Sequence, residues 1–158
     1  MKVMITGHRP NKLGGYSKDN KIAKKVRSQI LSLLNNLNEL VPVTGITGMA
    51  IGSDQYFAES CLDLEIPYIS YVPFEGQDNL WPTPVREQYH FLLSQSIDII
   101  KVSDGNYTPK KMRMRNMAMS DNADLAIAVW DGSKNGGTYQ CISYLRQEAK
   151  VPIIFIET

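Results

Sequence analysis

Two cysteines and two histidines are all that this 158-residue chain holds of the strongest metal-binding side chains. Cys61, Cys141, His8 and His90 stand far apart, with no CxxC pair and no ligand spacing among them, which argues against a zinc site or a disulfide framework. Two reduced structural thiols are expected, with no resident metal and no cofactor; a divalent ion would arrive only with bound phosphates. No run of eighteen apolar residues is present, so no membrane-spanning helix is expected. The opening Met1-Lys2-Val3-Met4-Ile5-Thr6-Gly7 breaks into His8-Arg9-Pro10 too early for the apolar core of a secretion signal, which points to the cytoplasm. Charge of one sign is missing as well. A formal net charge of +1 gives no basic field to advertise nucleic acid or anionic lipid, and argues against both as partners. Linkers, repeats and low-complexity tracts are absent, so residues 1–158 are expected to form one domain.

What the chain does have is alternation. Apolar strand-like runs fall at Lys2 to Thr6, Val41 to Thr47, Tyr68 to Val72, Ile97 to Val102, Asp124 to Trp130 and Pro152 to Ile156. Between them lie helical candidates at Lys18 to Asn38, Ser53 to Leu64, Pro84 to Ser96, Pro109 to Asn122 and Gly136 to Lys150. In the first, Ile22, Val26, Ile30, Leu33, Leu34 and Leu37 share one face and the lysines fall largely off it, which describes a docked amphipathic helix with a solvated basic side. Such β-α alternation predicts an α/β fold: a single doubly wound domain, with a mainly parallel sheet of about six strands and helices on both faces.

Ligands bind such sheets beyond the carboxyl ends of the strands, so the strand exits are where chemistry is sought. The first exit, Thr6-Gly7-His8-Arg9-Pro10, turns at a glycine and presents a histidine and an arginine, as either a ligand site or an ordinary surface loop. The second, Thr47-Gly48-Met49-Ala50-Ile51-Gly52-Ser53-Asp54, has glycines that would admit a phosphate or ribose, while Ser53 and Asp54 also suit a helix start. Its spacing is neither GxGxxG nor a Walker loop. At the third, Pro73, Phe74 and Trp81 either close over a planar base or cap the core. The fourth runs from Asp131 to Gly136-Gly137-Thr138, where the opening turn of a helix would offer free N–H groups to an anion.

Arg115 gives the fourth exit its weight. At helical spacing its neighbours are Lys111, Met112, Ala118 and Met119, a largely apolar surface. An arginine sunk there needs an anionic partner, because an unpaired buried charge is costly. Asp131 or Asp54 would serve structurally, and a ligand phosphate functionally; the glycine loop favours the ligand.

Taken in order, Thr-Gly-His-Arg-Pro, Thr47-Gly48-Met49-Ala50-x-Gly52-x-Asp54 with Ala58-Glu59, Pro73-Phe74-x-Gly76-Gln77, Arg115-Asn116-x-x-Met119, and Asp131-Gly132 with Gly136-Gly137-Thr138 resemble the YpsA-like branch of the SLOG superfamily over almost the whole chain. That superfamily takes its name from the DNA-processing Smf/DprA proteins and the Lonely Guy phosphoribohydrolases. The resemblance implies a Rossmann-like fold, a pocket for a nucleotide or nucleotide-derived ligand, a bacterial or phage host and a homodimer or higher oligomer; the Met-rich stretch Met112 to Met119 offers a contact surface, although plain core packing suits most of those methionines better. YpsA-like proteins have been linked to bacterial cell division, which implies a protein partner.

Lonely Guy enzymes carry an arginine on a helix and a Pro-Gly-Gly-x-Gly-Thr-x-x-Glu loop whose glutamate acts at the ribose. Arg115 fits that arginine and Gly137-Thr138 the end of the loop, but Cys141 stands where the glutamate would be. A neutral thiol cannot act as the ionised base or stabilise an oxocarbenium. Glu148 lies too far along the helix to replace it without rearrangement. The leading expectation is therefore sensing or sequestration of a nucleotide-derived small molecule rather than catalysis. Its ligand-binding residues are Gly7, His8, Arg9, Gly48, Met49, Gly52, Asp54, Pro73, Phe74, Arg115, Asn116, Asp131, Gly136, Gly137 and Thr138. The alternatives are a nucleoside monophosphate N-glycosidase using Asp54 or Glu59 as its catalytic carboxylate, and a DprA-like nucleic-acid-binding or protein-interaction module through Lys110, Lys111, Arg113 and Arg115.

Overall fold

In a computed structural model of residues 1–158, six strands pair into one sheet: β1 (Lys2–Gly7), β2 (Thr44–Thr47), β3 (Tyr68–Val72), β4 (Asp98–Lys101), β5 (Leu125–Trp130) and β6 (Ile153–Glu157). All five pairings are parallel, in the order β4-β3-β2-β1-β5-β6. Parallel neighbours require crossovers, and helices α1 (Lys21–Leu40), α2 (Ser53–Asp63), α3 (Thr83–Ser94), α4 (Pro109–Asp121) and α5 (Gly136–Tyr144) supply them. The expected α/β doubly wound, Rossmann-like sheet is the one observed.

Successive side chains point to opposite faces of a strand, and both faces here are buried. Val3, Ile5, Ile127 and Val129 pack with Val26, Ile30 and Leu34 of α1 and Phe57 of α2. On the other face Met4, Ile46 and Ala126 meet Met119 of α4 and Cys141 of α5, with Leu145 just beyond it. Each fully buried aliphatic side chain of this kind stabilises the fold by about 1.5–3 kcal/mol. A one-residue slip would exchange the faces, so the register Ile5↔Ile127 and Gly7↔Val129 is fixed by packing.

Several boundaries differ from the sequence reading, each for a local reason. Asn20, not Lys18, starts α1, because its side chain accepts the Ala23 N–H at 2.8 Å; the buried stripe then runs through Ala23 and leaves Ile22 exposed. Strand β2 begins at Thr44 instead of Val41, since Pro42 has no N–H to pair and its carbonyl accepts the Met1 ammonium at 2.8 Å. The last helix keeps α geometry only to Tyr144; Leu145–Ala149 form a π turn that Lys150 closes at φ 55°. The chain steps outward from β1 to β4, then returns to place β5 on the free side of β1. That reversal opens a crevice above β1 and β5.

Candidate functional site

The crevice begins where β1 ends. A Cβ on Gly7 would lie 2.7 Å from the Ser53 side chain and from Val129 Cβ, so only glycine lets α2 and β5 close around this turn. The turn is then fastened. The His8 N–H donates to Val129 O, and the Ser53 hydroxyl donates to His8 O at 2.8 Å. His8 Nε2 lies 3.0 Å from both the Asp131 backbone N and its Oδ1. One nitrogen cannot accept from the first and donate to the second. Burial lowers the imidazole pKa below 6.5, and the Asp131 N–H has no other acceptor, so the neutral ring accepts that N–H.

Asp131 is a latch on the rim. Its carboxylate accepts the Ser133 N–H and hydroxyl and the Lys12 ammonium, which joins the β5 exit to the β1 exit. The Ser133 hydrogen bonds first, and Lys12 second, hold its pKa well below the usual carboxylate range.

Within these walls lies a pocket of about 250 Å³ lined by Gly7, His8, Arg9, Asp54, Arg115, Asn116, Gly136, Gly137 and Thr138. Nine residues expected from the sequence are thus brought together, from β1, α2, α4 and α5. Lys12, Asn11, Ala50, Met112 and Asn135 also line the pocket, and none of the five is among the ligand-binding residues expected from the sequence. The only sequence signal for Lys12 is its place one turn beyond Arg9.

The start of α5 is open. Its N-cap residue Asn135 makes no side-chain hydrogen bond, whereas Asn20 and Thr108 cap α1 and α4. Nothing approaches within 4 Å of a Cβ built on Gly136 or Gly137. Exposed N–H groups and the positive end of the helix dipole therefore face the pocket.

Arg115 faces that start from α4 and is only 4% exposed. Its Nη1 donates to Gly48 O at 2.5 Å and its Nε to Asn116 Oδ1 at 2.8 Å, which leaves Nη2 without a protein partner. Asp54, 8% exposed, uses Oδ2 to accept the Ala50 N–H at 3.2 Å. Burial raises the Asp54 pKa, while Arg115, the Ala50 N–H and Arg9 act against that rise.

A second hollow of about 730 Å³ adjoins the pocket and shares Arg9, Met112, Asn116 and Gly137 with it. Tyr107, Tyr139, Tyr144 and Met117 give it apolar and aromatic walls, and Arg113 adds a cation. Gln147 and Glu148 reach this groove from the π turn, so Glu148, read as remote, flanks the groove without lining the smaller pocket.

The other expected residues lie elsewhere. Gly48 is a glycine because Arg115 lies on it: a Cβ there would sit 2.5 Å from Nη1. Gly52 takes φ 103° with His8 O 2.8 Å from a built Cβ, and Met49 is core. Neither glycine makes room for a ligand. Phe74 is buried edge-on to Tyr107 with the Lys111 ammonium over its ring, Pro73 O accepts from Ser103, and Trp81 packs edge-on to Tyr89. None of the three lines either cavity. Glu59 is engaged on another side of α2 by Lys18 and Gln88, with Arg27 at 3.8 Å, and lines neither cavity. Of the two carboxylates considered for hydrolysis, only Asp54 reaches the pocket. Cys141 is 3% exposed, its Sγ 3.9 Å from the Ser120 hydroxyl, and burial raises its pKa, so it stays a neutral thiol. Of the methionines considered for an oligomer contact, Met119 is core, Met112 and Met117 line the groove, and Met114 is exposed.

The model of the family described as the YspA SLOG family matches residues 3–158. The chain belongs to this family. Among relatives, the SPbeta prophage-derived protein YoqJ of Bacillus subtilis is 32% identical over 118 residues, covering 65% of this chain and 68% of that protein. A UPF0398 protein of Bacillus cereus is 24% identical over 162 residues, covering 96% of this chain and 86% of that protein. Two solved structures share the SLOG fold. DNA processing protein A from Helicobacter pylori, described for its single-stranded DNA binding mode, matches at TM-score 0.69 and 18% identity, over 100% of this chain and 66% of that one. The same protein from Streptococcus pneumoniae matches at 0.68 and 17%, over 99% of this chain and 50% of that one. The chain thus spans just under two thirds of the first neighbour and half of the second. No helix of this SLOG protein is long and apolar enough to cross a membrane.

Proposed function

We propose that this SLOG protein binds a phosphate-bearing, nucleotide-derived small molecule at the carboxyl edge of its sheet. The phosphate rests on the α5 start, met by Arg9 and Arg115, and the organic remainder extends into the aromatic groove. The observation that carries this reading is the pairing of an uncapped, unobstructed helix start with a buried arginine that keeps one nitrogen free. Together they suit an anion.

The test is to incubate the protein with nucleoside monophosphates, NAD and ADP-ribose, filter it, and chromatograph the filtrate and the denatured retentate. One compound should leave the filtrate and return unchanged. Appearance of free base and ribose phosphate would instead establish the N-glycosidase reading, in which Asp54 supplies the carboxylate.

A second reading, single-stranded nucleic acid, gains support from the DNA processing protein A neighbours, against the expectation drawn from net charge. Arg9 and Arg113 border the groove, and a local run of cations serves a strand as well as a global field does. Fluorescence anisotropy of a labelled oligonucleotide across a salt series decides it: binding that weakens steeply with salt supports the strand. Self-association, expected of the family, is read by sedimentation.

A further inference from the structure

A carboxylate sits where a purely anionic ligand would not want one. Asp54 lines the same small pocket as Arg9, Lys12, Arg115 and the α5 start, and a phosphate placed there would feel its charge as repulsion. It is not neutralised by a salt bridge, since no Arg115 nitrogen comes within ion-pair distance of it. Nor is it fully satisfied: Oδ2 accepts the Ala50 N–H, while Oδ1 accepts nothing and is not sealed from the pocket.

A position in the first turn of α2 accounts for an acidic residue, because negative charge there favours the helix dipole. It does not account for an oxygen left open beside Arg115 and Arg9. A buried carboxylate oxygen with a free lone pair selects a hydrogen-bond donor. Of the neutral donors that nucleotide-derived ligands offer, the sugar hydroxyls lie nearer the phosphate than the N–H groups of the base.

We propose that Asp54 is the sugar-reading residue of this site: its free oxygen accepts the hydroxyls of a ribose whose phosphate rests on the α5 start, so the pocket prefers ribose phosphates to their 2-deoxy counterparts. This rests on the phosphate-binding reading above. It also places a limit on the strand alternative, because a DNA chain has no 2-hydroxyl to offer Asp54. The Ala50 N–H holds the carboxylate in place, so the preference is preorganised rather than acquired on binding.

The experiment is calorimetric titration of the native protein with inorganic phosphate, ribose 5-phosphate and 2-deoxyribose 5-phosphate, repeated with Asp54→Asn. Ribose 5-phosphate should bind about tenfold to a hundredfold more tightly than the deoxy sugar, the range of one hydrogen bond to a charged group. In Asp54→Asn that ratio should fall towards one while phosphate affinity is kept or improved, since the amide retains the Ala50 contact and removes the repulsion. Equal affinity for the two sugars in the native protein overturns the inference, with no variant needed. An unchanged ratio in a folded Asp54→Asn protein overturns it too. If inorganic phosphate and both sugars all fail to bind, the proposed function falls first and this inference with it.

Discussion

Two glycine turns enter helices at the same edge of the sheet, one from β2 into α2 and one from β5 into α5, and they are used in opposite ways. In the first, the protein fills the space itself: Arg115 lies over Gly48 and the His8 carbonyl over Gly52. In the second, the space above Gly136 and Gly137 is left empty. A glycine permits close approach, and only the surroundings decide whether a protein group or a ligand approaches. Here the filled turn builds the wall and the empty turn opens onto the pocket.

The contrast predicts that substitutions in the first turn damage the fold and those in the second damage binding. Gly52→Ala should be the most harmful, at about 3 kcal/mol in urea unfolding, because it combines a positive φ with a backbone oxygen in its path. Gly48→Ala should cost about 2 kcal/mol and at least a factor of about ten in phosphate affinity, since the new methyl displaces Arg115 from the Gly48 carbonyl. Gly136→Ala meets no atom but must hold φ 83°, and should cost about 1 kcal/mol. Gly137→Ala has neither handicap. It should stay within about 0.5 kcal/mol of the native protein and weaken phosphate binding by crowding the N–H groups. A loss of stability at Gly137 as large as that at Gly48 would break the comparison.

The smallest effect concerns His8, whose carbonyl covers the first turn and whose ring holds the second. Burial depresses its pKa in the folded protein, so the unfolded chain binds the proton first as pH falls. Stability should therefore decline on acidification from 6.5 down to the depressed folded value. In His8→Gln that limb of the pH–stability curve should flatten; an unaltered slope would assign it to another group.

Much of this was legible in the sequence, and the rest depended on partners far away in the chain. Apolar runs and helical periods place every strand and helix, because burial on both faces of a parallel sheet writes itself directly into composition. Ends were less legible: Asn20 and Pro42 act through single hydrogen bonds, and the π turn leaves no periodic mark. Arg115 was visible from its apolar helical neighbours, and the exits of β1 and β5 from glycine beside charge. Gly48 and Gly52 were misleading because what fills the space above them comes from α4 and from the β1 turn. Glu59 is held away from both cavities in the same manner, since the Lys18 and Gln88 that engage it are distant in sequence. The aromatic groove, assembled from Tyr107, Tyr139 and the π turn, had no local signature at all.

The position of β1 in the middle of the sheet has a consequence in time. Its residues are made before those of every other strand in the sheet, yet one of its two neighbours is β5, residues 125–130. A nascent chain can assemble β1 to β4 with their helices while the other edge of β1 stands bare, exposing a row of unpaired backbone groups. The pocket draws on both sides of that strand, so it is completed last. Any pause in synthesis before β5 leaves a partly built sheet with an unfinished pocket and an adhesive edge.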